Sequence, residues 1–269
     1  MSHALRIRGR VVVSPACEEV GWAERLTIDP ALTTAAREIL AAAWLRIARD
    51  EHASVAAYAK LSTSLVTLGA PHDLIGACHR AALDEVEHAR RAFSLASAYA
   101  GRTFGPGTLD ALLRPERDAR DTAALLRRLA LEVLEDGCLG EALAAELAQD
   151  GAANTVDVEV KATLAGIARD EAAHCELAWR ILYWCCSVGD RALRDAVRAK
   201  LGELPRTIMP LRADARIADE LARHGQVSAE RKRLRFAEVR RDLVARAERI
   251  LDGLDARAVR FAVPVLVGA

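Results

Sequence analysis

Two segments of the chain repeat one arrangement of ionisable side chains: Asp84-Glu85-Val86-Glu87-His88 and Asp170-Glu171-Ala172-Ala173-His174. Each reads D-E-x-x-H. On a helix, residues three apart share a face, so each Glu–His pair can point at the same atom. A carboxylate and an imidazole aimed at one point are a divalent-metal ligand pair. One such pair means little. With 20 Glu and 7 His in 269 residues, chance supplies roughly 0.5 E-x-x-H. Requiring Asp before the Glu, one of 18 in the chain, lowers the expectation to roughly 0.03. Two occurrences therefore carry weight.

Two further carboxylates stand at matching intervals. Glu51 precedes Glu85 by 34 residues, and Glu141 precedes Glu171 by 30. Glu51 lies between Ile47 and Val55, where a lone carboxylate would be costly to bury. Glu141 has Leu134, Gly137, Ala144 and Ala145 on its own face. Glu132, Glu135 and Glu146 compete with it, and Glu135 is the fallback ligand. His52, about 100° round a helix from Glu51, reads as an exposed or outer residue rather than a ligand. Tyr58, Cys78, Cys138 and Cys175 fall near the same sectors and are candidate pocket residues, with core filler the commoner role. His3, His72, His79 and His224 have no partner at metal-ligand spacing.

Long helices must position these groups. The periodicity predicts helices over about 34–69, 72–100, 119–149 and 155–187. Gly69-Ala70-Pro71 ends the first and Gly101 the second, while 101–118 forms a long polar connection around Gly105-Pro106-Gly107. Long helix, short turn, long helix, long crossover, then a second hairpin is the order of a four-helix bundle with one crossover. Further helices are predicted at 190–203, 206–224 and 228–252, the last capped by Ser228 and stopped at Gly253. Residues 6–13 read as a short strand, and the apolar tail 261–268 as a docking segment. The expected organisation is an N-terminal extension (1–33), an all-α bundle (34–187) and a C-terminal helical extension (188–269).

The full set, Glu51, Glu85-x-x-His88, Glu141 and Glu171-x-x-His174, resembles the ligand set of the ferritin-like dinuclear carboxylate proteins. The resemblance covers about residues 34–187. It implies two iron ions, or manganese, or one of each, bridged by Glu85 and Glu171. Glu51 and His88 would complete one ion, Glu141 and His174 the other. In the larger diiron oxygenases each Asp of such a motif reaches the His of the opposite helix, so Asp84 would orient His174 and Asp170 His88. The implied activity is that of a non-haem diiron oxidase or oxygenase. It would use O2 and an external electron donor on a small-molecule or peptide substrate, in a hydroxylation, N-oxygenation or desaturation. The alternative is a ferritin- or rubrerythrin-like protein that binds iron or removes peroxide without an organic substrate; a helical interaction protein with a vestigial set ranks last. Arylamine N-oxygenases of this superfamily carry a further His one turn before the metal Glu, where this chain has Ile167, which argues against that subgroup.

Composition narrows the classes further. Lys+Arg and Asp+Glu are both 38, which removes the simplest electrostatic case for nucleic acid or an anionic membrane. Aromatic residues at 4% are low for a β-sandwich or a base-stacking protein, and 34 Arg against four Lys reads as coding bias. The six cysteines form no C-x-x-C, so no rubredoxin-type module is encoded. No apolar run approaches the ~18 residues of a membrane span, and no signal peptide is recognisable. The expectation is a cytoplasmic protein; a homodimer is compatible with it.

Overall fold

The computed structural model describes residues 3–7, 9–18, 21–28, 32–113, 121–210 and 215–262. The described residues are overwhelmingly helical. Helix α1 spans Thr34–Thr67 and α2 His72–Ala100, joined by a turn in which Gly69 takes φ 66°. Thr33 caps α1, its side chain accepting from the Ala36 N–H. After the connection, α3 (Thr122–Glu132), a π-helical segment (Val133–Glu141) and α4 (Ala142–Asn154) follow without a break. Helix α5 covers Val158–Val188, with Asp157 accepting from the N–H groups of Glu159 and Val160. Then come α6 (Arg191–Glu203), α7 (Ala218–Arg223) and α8 (Ala229–Ala262). Among the described residues, none of these helices is long and apolar enough to cross a membrane.

Helix α1 packs along α2, and the π segment with α4 packs along α5, while α2 lies against α5. Two large apolar clusters result, beside a small one of Leu5, Ala53 and Ala57. One joins Ala36–Ala48 of α1, Ala92–Tyr99 of α2 and Val160–Ile167 of α5. The other joins Tyr58–Leu65, Leu74–Ala81, Leu129–Leu143 and Leu177–Cys186, and extends to Phe236 and Leu243 of α8. Glu51, Glu85, His88, Glu171 and His174 fall in the gap between the clusters, helix by helix, and Glu141 lies at its edge. The metal-type residues therefore form one polar layer inside an apolar interior.

Four expectations need correction. The strand expected over 6–13 is a hairpin of two short strands, β1 (Arg6–Ile7) and β2 (Arg10–Val11), turning at Gly9 with φ 75°. A second pair joins β3 (Ala16–Cys17) to β4 (Gly105–Pro106), so the connection after α2 is partly ordered by the N-terminal extension. Of the helix expected over 206–224, the described residues show 218–223 plus one 3-10 turn at 215–217, and 205–210 runs without helix. Pro205 and Pro210 lack the N–H that helical bonding needs. Helix α8 runs through Gly253 to Ala262, because Asp255 beyond the glycine is bonded to Arg194 and Arg198. An internal glycine costs only about 1 kcal/mol. Ser228 does accept from the Arg231 N–H at 3.1 Å. The tail from 263 lies outside the described residues.

The π segment was not readable from periodicity. Its wider turns re-aim the residues at its end, and such segments recur at functional sites. Gly137 lets it lie close to α5: a Cβ there would be 2.5 Å from the Ala178 Cβ. Gly137→Ala is expected to destabilise the fold by about 1–3 kcal/mol through overpacking, read as a lower urea midpoint.

Candidate metal centre

Six side chains from four helical segments converge. Glu51 comes from α1, Glu85 and His88 from α2, Glu141 from the end of the π segment, and Glu171 and His174 from α5. All are 0–3% exposed. They form two groups, Glu51–Glu85–His88–Glu171 and Glu85–Glu141–Glu171–His174, and within each the ligand atoms lie within 4.8 Å of one another. Glu85 and Glu171 belong to both. Glu85 turns Oε2 toward His88 Nδ1 at 3.6 Å and Oε1 toward His174 Nδ1 at 3.3 Å. Glu171 mirrors it, with Oε1 3.9 Å from His88 and Oε2 3.8 Å from His174. Each of these two carboxylates thus offers one oxygen to each half of the site.

The outer face of each imidazole is tied across the helix pair. His88 Nε2 lies 3.1 Å from Asp170 Oδ2, and His174 Nε2 lies 3.1 Å from Asp84 Oδ2. This is the crossed pairing that the sequence resemblance implies. It turns Nδ1 of each ring inward. Both Nδ1 atoms, both oxygens of Glu85 and of Glu171, and one oxygen each of Glu51 and Glu141 are buried without a hydrogen-bond partner. Buried polar atoms are almost always satisfied. Eight orphaned donors and acceptors pointing at one another fit a pair of cations.

Electrostatics lead the same way. Burial, then the Glu85 and Glu171 carboxylates, push Glu51 well above the usual carboxylate range. Burial and Glu171 do the same to Glu141. Burial also opposes ionisation of Glu85, but His174 and His88 outweigh it and bring the group to about 2. For His88 burial favours the neutral ring, yet Glu85 outweighs it and raises the group to about 10; for His174 the balance of Glu171 and Glu85 against burial gives about 11. In this dry layer of four carboxylates, Glu51, Glu141 and the two imidazoles thus hold protons unless other positive charge is supplied. Two divalent cations would match their four negative charges.

Other sequence candidates separate cleanly. Glu135 sits at the surface beside Lys200 (2.8 Å), and Glu146 pairs with Arg235 (3.1 Å), so Glu141 is the helix residue that reaches the layer. Glu132 lines a small crevice beside Asp136, outside the cluster. Tyr58 is buried and donates to Glu141 Oε1 at 2.9 Å, which occupies one oxygen and leaves Oε2 free. Cys78 packs on the Tyr58 carbonyl at 3.9 Å and Cys175 on the Cys138 carbonyl at 3.8 Å. The three thiols Cys78, Cys138 and Cys175 are pushed up by burial, and they belong to or pack on the apolar cluster rather than the walls of the larger cavities. His52 makes a 2.8 Å bond to Ser14 and packs edge-on to Trp22, so it anchors the N-terminal extension. Ile167 is buried in the neighbouring apolar cluster.

His3 is the residue that spacing could not find. Its ring stacks on Tyr58 (centroids 4.9 Å, planes 29° apart), and Nδ1 lies 3.9 Å from Glu141 Oε1. The Ser54 hydroxyl donates to the His3 carbonyl at 2.8 Å and holds the segment there. No helical pattern surrounds His3, so no periodicity links it to the centre.

Asp84 and Asp170 are the test of the outer support. Asp84→Asn and Asp170→Asn are each expected to weaken metal binding by roughly 10–100-fold while preserving fold, measured by Co(II) titration against a chelator. Unchanged affinity in both would reduce the two pairs to surface contacts. Comparison of the chain with protein-family profiles, curated proteins and solved structures finds no match, so the centre is read from its own residues and geometry.

Proposed function

We propose that the chain is a ferritin-like dinuclear carboxylate protein and acts as a non-haem diiron oxidase or oxygenase on a small-molecule or peptide substrate. Residues 34–187 would be the four-helix bundle, with 188–269 packed on it. The observation that carries the reading is the set of eight inward, unpartnered ligand atoms whose imidazoles are already fixed from behind. Glu51 and His88 would hold one metal, Glu141 and His174 the other, with Glu85 and Glu171 spanning both. Four carboxylates and two imidazoles favour iron or manganese over a thiolate metal. A bound diiron pair would supply redox chemistry with O2, drawing electrons from an external donor.

The protein's own contribution is arrangement. Asp84 and Asp170 hold the rings with Nδ1 inward. Tyr58 keeps its proton between itself and Glu141, since burial and then Glu141 push the phenol well above its ordinary value. The two apolar clusters above and below exclude water from the layer. The test is metal analysis after anaerobic purification from iron-replete cells, followed by optical spectroscopy on adding O2. The expected result is close to two irons per chain and an O2-dependent spectral change. Fewer than about one metal per chain would remove the reading.

A further inference from the structure

A cavity of about 330 Å3 lies outside the metal layer, between α1, the π segment and the N-terminal hairpin. Its apolar walls include Leu5, Val12, Leu139, Leu143, Ile208 and Phe236. The volume falls at the lower end of the roughly 300–1,000 Å3 range of small-molecule sites. We propose that this cavity is the chamber for an apolar small-molecule substrate of the metal centre, an assignment that rests on the dinuclear reading above.

Position is the first argument. The α1 wall is made by Asp50, Ala53 and Ser54, which flank Glu51, and the π-segment wall includes Leu139 and Gly140, which precede Glu141. The chamber therefore borders both helices that each supply a single carboxylate, away from the His–Asp pairs on α2 and α5. Ala53, Ser54 and Gly140 are small, so little side-chain bulk is spent on that partition.

Chemistry is the second. The polar groups on the wall are largely paired, Arg6 and Asp136 with each other. Asp136 takes Arg6 through two bonds of 2.5 and 2.8 Å, Glu135 takes Lys200, and Ser54 donates to His3. Asp50, 3.9 Å from Arg46, forms a polar edge. What the interior offers is aliphatic and aromatic surface, which selects an apolar body.

Coupling is the third. The roof is the hairpin itself, closed by Val12 N–H to the Leu5 carbonyl (2.8 Å) and held down by Lys60 on the Arg6 carbonyl (2.6 Å). Leu5 roofs the chamber, while two residues earlier His3 stacks against the Tyr58–Glu141 pair. A molecule pressing on Leu5 would also disturb His3, and with it Glu141.

The experiment uses the full chain loaded with Co(II) and titrated with 1-aminoanthracene, an apolar fluorescent probe. Saturable binding at one site per chain is expected, with the cobalt visible bands shifting at the same midpoint. Val12→Trp and Ile208→Trp, each filling the chamber from a wall residue outside the ligand set, should weaken the probe by about tenfold or more. Both should still take two Co(II). Leu83→Trp, on the exposed face of α2, should change nothing. Absence of saturable binding, affinity unchanged in both cavity-filling variants, or cobalt bands that stay put on binding would each overturn the assignment. Failure of the metal reading registers differently, as Co(II) stoichiometry near zero with the probe still bound, and it removes the substrate role as well.

Discussion

Replacing Glu85 or Glu171 with alanine is expected to abolish tight binding at both metal positions, whereas Glu51→Ala or Glu141→Ala should leave one metal per chain. The asymmetry follows from geometry. Glu85 presents different oxygens to His88 and His174, at 3.6 and 3.3 Å, and Glu171 does the same at 3.9 and 3.8 Å. Glu51 and Glu141 each belong to one group only. Loss of a shared ligand should cost each position more than the roughly 10–100-fold expected for an outer-layer change. The stability readout runs in parallel. Saturating metal at about 1,000 times its Kd stabilises wild-type protein by ~4 kcal/mol, and this increment should vanish in Glu85→Ala and Glu171→Ala. Metal-to-chain ratios with thermal melts, with and without Co(II), test both statements. A ratio near one in all four variants would show that no carboxylate is shared.

What the sequence reveals of this centre is what helical periodicity can transmit. Glu85 and His88, or Glu171 and His174, are linked by a fixed three-residue step, and a fixed step is visible in one dimension. The crossed Asp–His pairs were accessible too, since each Asp adjoins its Glu and the resemblance supplied the partner. Glu141 was harder. Glu135 competed with it, and the π segment that lifts Glu141 into the layer has no periodic signature; only Gly137, squeezed against Ala178, hints that two helices come close. His3 was illegible because it arrives on a loop-borne hairpin whose position is set by long-range contacts, Arg6 with Asp136 and Ser54 with the His3 carbonyl. The same holds for the proposed chamber. Its roof and one wall come from 4–6, 11–13, Pro205 and Ile208, in stretches where the expected strand and helix give way to a hairpin and a non-helical run between two prolines. Regular elements were readable, and the irregular pieces that enclose space between them were not.

Metal-free and metal-loaded protein are expected to respond to pH in opposite senses. In the metal-free fold Glu51 and Glu141 titrate well above the ordinary carboxylate value of 4.5. A native state that holds protons the unfolded chain has released loses stability as pH rises, by about 1.4 kcal/mol per pH unit for each such proton. Their contribution is therefore complete below 4.5 and lost as pH climbs through their native values. His88 and His174, raised from 6.5 to about 10 and about 11, add to the decline above 6.5. Glu85, lowered to about 2, acts oppositely: its contribution is present above 4.5 and disappears on acidification toward 2. Metal binding must displace the protons on Glu51, Glu141 and the two Nδ1 atoms, so affinity rises with pH. The gap in melting temperature between chelator-treated and Co(II)-loaded protein should widen steadily from pH 5 to pH 8. Glu51→Gln/Glu141→Gln, which keeps the shapes and an acceptor for Tyr58 but removes two titrating groups, should flatten the metal-free curve over that range. A gap that stays constant, or narrows, would mean that the buried carboxylates are not what the metals neutralise.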